Sequence, residues 1–281
     1  MPGALAASSA LTLSKEAREA APAAWTLSLP TAGEFFAAVS KQERPNWGAV
    51  QRADFDNRMS DRSQIALSLG VLFADAYLAI ERQDGQIIRN IMRDIVSQAE
   101  KLHAAEGLLA RERNINTFAE RNNWRILGTE VDATQNEIIL LLQAQNDQNL
   151  VPLIGVGEWL RAFNVFTTLQ RARPQMASLP LLIQPSLVKS QLDLLSDLPQ
   201  KGVQNMWHRA ALSAFVTMQR ELSKPNDPPL LPVTPQQLEL ASQGTSSALA
   251  VIGGLAQRPE TAENDNAVPA RSPEESSVTQ P

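Results

Sequence analysis

The chain has 281 residues, 43% of them hydrophobic and 20% charged, an ordinary globular composition with room for a large core. A net charge of −5, a pI near 5.2 and the lack of any run of Lys and Arg argue against the basic surface that nucleic acid or an anionic bilayer demands. With no cysteine, disulfides, thiolate metal sites, iron–sulfur clusters and cysteine nucleophiles are excluded, while the compartment stays open.

Residues 1–30 are rich in Ala, Ser and Pro and read as a disordered N-terminal segment. The start, MPGALAASSALTL, is small and apolar but lacks the Lys or Arg of a signal-peptide n-region. Two readings stand side by side: a signal remnant followed by a linker, or an uncleaved start. Thr31 with Glu34 forms a capping box ahead of Phe35, Phe36 and Val39, which predicts a short helix ending near Lys41. Arg44-Pro45-Asn46 breaks it, and Trp47, Val50, Ala53 and Phe55 suggest a second short helix.

The stretch Ile65 to Ile80, IALSLGVLFADAYLAI, is apolar on every side of a helix and carries one formal charge, Asp75. A helix that is apolar all round is wrapped by others. Its sixteen residues rise about 24 Å, short of the roughly 20 apolar residues a bilayer needs, so it reads as a core helix and not as a transmembrane span. Asp84-Gly85 ends it. Ile88, Ile91, Ile95, Ala99 and Leu102 then mark a one-sided helix, with Arg89, Arg93 and Lys101 toward solvent. From Glu106 to Arg121 the pattern weakens, with Asn114 a candidate internal cap. After Asn122-Asn123, Trp124, Leu127, Val131, Thr134, Ile138 and Leu141 keep a strict rhythm of four and three.

Asp147 or Asn149 is expected to cap the next helix, with Pro152 tolerated in its first turn. That segment, LVPLIGVGEWLRAFNVFTTLQRA, is the second helix apolar on most sides, and it is expected to lie beside the first. Further helices follow from Pro185 and from Val203 to Leu222. A proline-rich linker covers 223–235, an appended helix 236–256 and a disordered tail 257–281. No stretch alternates with period two. The fold class is therefore all-α: one domain over 31–222, a multi-helix bundle or short array of antiparallel helical hairpins around two apolar central helices.

The absences narrow the chemistry. His103 and His208, the only histidines, have no second His or carboxylate at metal-ligand spacing and read as helix-surface residues, so no metal and no cofactor is expected. Gly155-Val156-Gly157 lacks the strand before it and the lysine after it that phosphate binding needs. Gly70, Gly155 and Gly157 suggest close backbone approach between the central helices, since glycine within a helix costs roughly 1 kcal/mol relative to alanine. Asp75 is the sharpest signal, because a carboxylate with apolar neighbours in every direction must be neutral or find a partner. The other central helix offers Glu158, Arg161 and Asn164. Either Asp75, Tyr77, Glu158, Arg161 and Asn164 line a polar pocket in which Arg161 grips an anionic ligand, or they form a satisfied network that sets helix register.

Trp124, the run Glu130-Val131-Asp132-Ala133-Thr134-Gln135, Gly157-Glu158-Trp159-Leu160-Arg161 and the stretch from Gly70 to Asp84 together resemble an uncharacterised bacterial family of exported all-helical proteins. The similarity covers Leu29 to Thr168 and implies a helical fold and export to the periplasm or beyond. It carries no known activity and so transfers no site residues.

Three functions follow as expectations. The first is a non-enzymatic helical interaction or scaffold domain of the cell envelope, binding protein or peptide in a groove between helices. The second is a small-molecule binding bundle with a polar pocket at Asp75 and Arg161. The third is an acid/base enzyme using Asp75 or Glu158, for which no second catalytic group can be named.

Overall fold

The computed structural model describes residues 31–42, 45–56, 58–173, 185–196, 205–222 and 234–254. The N-terminal segment with Trp25, most of the proline-rich linker and the tail beyond Gly254 lie outside these residues. All regular secondary structure among the described residues is helical, and they contain no strand. In chain order they form α1 (Ala32–Gln42), a 3-10 turn (Trp47–Val50), α2 (Arg62–Glu81), α3 (Gly85–Lys101), α4 (Leu108–Glu120), α5 (Trp124–Ala144), α6 (Val151–Ala172), α7 (Pro185–Ser196), α8 (Met206–Leu222) and α9 (Pro235–Ile252).

Local chemistry sets most of these boundaries. Thr31 opens α1 by the reciprocal cap: Glu34 N donates to Thr31 Oγ1 at 3.2 Å, and Thr31 N donates to Glu34 Oε2 at 2.9 Å. Asp61 caps α2 through Gln64 N, and Asp84 caps α3 through Gln86 N and Ile87 N. Asn122 turns the chain between α4 and α5 at φ 54°, a left-handed conformation that asparagine tolerates. Thr234 closes a second capping box, with Gln237, at the start of α9.

α2 is the hub. It packs against α1, α3, α5 and α6, touches α9, and makes its most extensive contact with α6. Buried residues run without a break from Ile65 to Ala79, so every side of the helix is covered by other elements over that span. By length and composition it is one helix able to cross a membrane, and 83% of its apolar window is buried inside this fold. α6 is nearly as enclosed, with α9 along another of its sides.

Glycine makes the α2–α6 contact close. A Cβ on Gly70 would stand 1.8 Å from Ile154 O, and one on Gly157 would stand 2.0 Å from Leu67 O. Gly155 faces open space and has no part in this approach.

Several expectations need correction. The helix expected from Trp47 to Phe55 is a 3-10 turn that stops at Val50, because Gln51 turns to an extended conformation and carries the next residues back across α2. α6 begins after Leu150, not after Asp147 or Asn149. Asn114 lies inside α4 without interrupting it. His208 is buried, with Nε2 at 2.8 Å from Leu195 O, and is no surface residue; His103 stands past the end of α3 at φ 60°. The helix read as an appendage over 236–256 runs from Pro235 to Ile252, and its Ala241, Ala248, Leu249 and Ile252 belong to the common core.

Candidate functional site

Asp75 sits in the middle of α2, where the helix offers no polar neighbour of its own. Two cations reach it from different elements. From α6, Arg161 Nε donates to Asp75 Oδ1 at 2.7 Å. From the extended segment after the 3-10 turn, Arg52 places Nε and Nη2 each 2.7 Å from Asp75 Oδ2.

The rest of each guanidinium is also engaged. Arg161 Nη1 donates to Asn164 Oδ1 at 2.7 Å, and Nη2 donates to the Val50 carbonyl at 2.5 Å. Asn164 Nδ2 in turn donates to Thr245 Oγ1 at 3.1 Å and Ser246 Oγ at 2.9 Å on α9. Arg52 Nη1 donates to Ala53 O at 2.7 Å, and its guanidinium carbon lies 3.5 Å from the centre of the Phe55 ring, a cation–π contact. One network thus joins the 50–55 segment, α2, α6 and α9.

Its electrostatics follow from burial and charge. Burial would raise the Asp75 carboxyl, but the charges and hydrogen bonds of Arg161 and Arg52 outweigh it and hold Asp75 below the usual carboxylate range. Arg52 is drawn below the ordinary guanidinium range by burial and by Arg161, although Asp75 pushes it the other way. The Arg161 side chain is 2% exposed and Arg52 16%, so Arg161 is sealed while Arg52 borders open space.

That space is a cleft of about 190 Å³ between α2, α3 and the 51–55 segment. Leu72, Asp75, Leu78, Ala79 and Arg82 line it from α2, and Ile87, Asn90, Ile91 and Asp94 from α3. Gln51, Arg52, Asp54 and Phe55 form its outer wall, with Arg161 showing at the base. The end of α9 braces that wall: Asp56 N donates to Gly253 O at 2.8 Å, and the Phe55 ring fills the place where a Gly253 side chain would be.

Tyr77 and Glu158, expected in the same pocket, form a different network. Glu158 Oε1 accepts from Ala32 N at 2.7 Å, and Oε2 accepts from Gln135 Nε2 at 2.9 Å. The Tyr77 hydroxyl donates to Asp132 Oδ1. Burial pushes the Glu158 carboxyl up against those two hydrogen bonds, and the charges of Asp132 and Glu34 add to the rise. Asp132 is raised by burial and by Glu34, and Tyr77 by burial and by the charges of Glu158 and Asp132. Glu158 therefore holds the first turn of α1 and the side of α5 with a carboxylate that has no ion-pair partner among the described residues.

Of the five residues singled out from the sequence, Asp75 and Arg161 meet at the base of the cleft, Asn164 supports Arg161 from behind, and Tyr77 and Glu158 do not join them. Sequence reasoning missed Arg52, Arg82, Asp54 and Asp94. Nothing local distinguishes Arg52 from the other polar residues around it, because its importance comes from a contact 23 residues away. Asp94 carried a weak signal: it is a charge one residue before Ile95 on the buried stripe of α3.

Among the described residues no group of three or more His, Asp or Glu side chains is placed to hold a metal ion. No family model, no curated protein and no solved structure matches the chain, so the site is interpreted from its own geometry.

Proposed function

We propose that the chain is a binding protein for a small polar ligand, which it holds without chemical change in the cleft beside Asp75. The observation that supports this reading is a cleft with a saturated ionic base and less engaged charges on its walls. Each nitrogen of Arg161 already donates to a protein oxygen, and Asp75 accepts from both guanidinium groups, so the base gives the cleft its shape and the walls supply the contacts. A volume of about 190 Å³ lies below the roughly 300–1,000 Å³ of pockets for drug-sized molecules, which sets the scale of the occupant.

Acid/base chemistry at Asp75 fits this geometry poorly. The cleft reaches the carboxylate, but the donors around it favour the charged form and occupy its lone pairs. A protein or peptide groove has one observation in its favour: Leu109 and Leu140, each 61% exposed, stand at the same end of the α4–α5 hairpin. Two side chains fall short of a contiguous apolar surface. Export rests on the composition of residues 1–30, outside those described, and on the family resemblance.

The test is a thermal-shift screen of small charged metabolites on the full chain, repeated with Ile91→Trp, which fills the cleft from α3. A ligand at about a hundred times its Kd stabilises by about 2.7 kcal/mol. The expected result is stabilisation of the natural sequence and none of the variant, whose own Tm is preserved. Stabilisation that is equal in both, or found with no compound, would sink the reading.

A further inference from the structure

The cleft has direction. α2 and α3 run antiparallel, joined through Arg82, Gln83 and Asp84, with Gln83 in the left-handed region at φ 55°. The cleft follows this helix pair from Arg82 and Ile87 near the turn to Leu72 and Asp94 farther along. From Ile87 to Asp94 is seven residues, about 10 Å of helix at 1.5 Å per residue.

The two ends carry opposite charge. At the turn, the Arg82 fork is held among the described residues by long contacts: Nη1 is 3.4 Å from Gln51 Oε1 and Nη2 is 3.8 Å from Asp84 Oδ2. At the other end, Asp94 and Asp54 both line the cleft, near enough for the charge of Asp54 to act on Asp94, and neither side chain makes a hydrogen bond or ion pair among the described residues. Arg93 and Arg52 lie within electrostatic reach of Asp94, but Arg52 is committed to Asp75. Between the ends Leu78, Ile87 and Ile91 give the cleft an apolar side, while Asp75 with its two arginines forms the base and Asn90 stands on the α3 wall.

We infer that the ligand is a small zwitterion of the ω-amino acid type, with its carboxylate on Arg82, its ammonium between Asp94 and Asp54, and a short hydrocarbon spacer over Leu78, Ile87 and Ile91. The inference rests on the reading of the cleft as a ligand site. A planar guanidinium fork suits a carboxylate in two-point contact. Burial and the charge of Asp54 push the Asp94 carboxyl up, and an ammonium placed between the two relieves that repulsion. A spacer is required because the two charges stand apart along the cleft; an α-amino acid, with both charged groups on one carbon, cannot meet both ends.

Four probes on the full chain decide it: 6-aminohexanoate, hexanoate, hexylamine and glycine, measured by calorimetry and thermal shift. The expected order places 6-aminohexanoate first, with the others weaker by about tenfold or more, the order of one lost charged hydrogen bond. Asp94→Asn should erase the advantage of 6-aminohexanoate over hexanoate, and Arg82→Gln its advantage over hexylamine. Both positions lie on the cleft wall; Asp94→Asn is isosteric and Arg82→Gln keeps a shorter polar side chain, and should either variant fail to fold, the probe order on the natural sequence still decides. Hexanoate equal to 6-aminohexanoate would overturn the inference in favour of an anion site, hexylamine equal to it in favour of a cation site, and glycine equal to it would remove the separation of charges. If none of the four binds while another compound binds in a manner blocked by Ile91→Trp, this inference fails and the cleft reading survives; if nothing binds in that manner, both fail.

Discussion

A single carboxylate on an apolar helix and a single carboxylate without a cation behave in opposite ways toward acid. Asp75 is held below its ordinary range, so its contribution is complete above the unfolded value of about 3.9 and is lost as pH falls through the folded value. Glu158, Asp132 and Asp94 are raised by burial, so what they contribute is complete below their unfolded values of about 4 and is lost as pH rises through the folded ones. Melting temperature should therefore climb as pH is lowered from neutrality to about 4, then fall once Asp75 is protonated. Glu158→Gln should raise Tm at neutral pH and flatten the upper limb, because a neutral amide can still accept from Ala32 N while Gln135 turns its own amide. Asp75→Asn should remove the lower limb and cost about 3–5 kcal/mol in urea unfolding, the scale for stranding a sealed charge, here Arg161. A Tm that is flat from neutral to mildly acidic pH, with Glu158→Gln no more stable than the natural sequence, would show that Glu158 is not held against its charge. The Asp75–Arg161 pair was legible because a charge on an apolar helix demands a partner and only one other helix was equally enclosed. Arg52 was not, since a loop arginine and a core arginine look alike in sequence.

At the scale of helices, the cap at Thr31 could be read directly, because a cap is a contact between residues two or three apart, whereas Asp84, read as the end of the apolar helix, caps the helix that follows. Glycine could be read only in part. Gly70, Gly155 and Gly157 look equivalent as letters, and the periodicity of a helix apolar on most sides does not say which side meets its neighbour. The structure separates them: Gly70 and Gly157 lie against backbone carbonyls of the opposite helix, and Gly155 lies against nothing. Alanine at Gly70 or Gly157 must push two backbones apart, which is costlier than displacing a flexible side chain and should destabilise by at least the roughly 1–3 kcal/mol typical of overpacking. Alanine at Gly155 meets no obstacle and should stabilise by up to about 1 kcal/mol through helix propensity. Chemical denaturation of the three single variants checks the sign at each position, and a destabilising Gly155→Ala alongside a neutral Gly70→Ala would contradict the α2–α6 packing.

For the molecule as a whole, the question is whether α9 is ornament or structure. The proline-rich linker suggested an appendage, because a segment that cannot be helical looks like a boundary, and sequence does not show where the chain returns. α9 returns to the middle: it lies along α6 and α8, receives the Asn164 amide on Thr245 and Ser246, and accepts Gln64 Nε2 at Ile252 O. It also braces the outer wall of the cleft through Gly253 and Phe55. Leu238, Leu249 and Ile252 are buried, and at roughly 1.5–3 kcal/mol each their burial is of the same order as the whole net stability of a domain, about 5–15 kcal/mol. Ordering the helix offsets part of that gain, yet removing it also bares the faces of α6 and α8 that it covers. A chain ending before Thr234 should therefore lose its cooperative thermal transition, whereas the full chain should show one transition in which far-UV circular dichroism and tryptophan fluorescence coincide. If the shortened chain instead melted cooperatively at the original temperature, α9 would be an independent attachment, and the dependence of the cleft wall on its last turn would be lost with it.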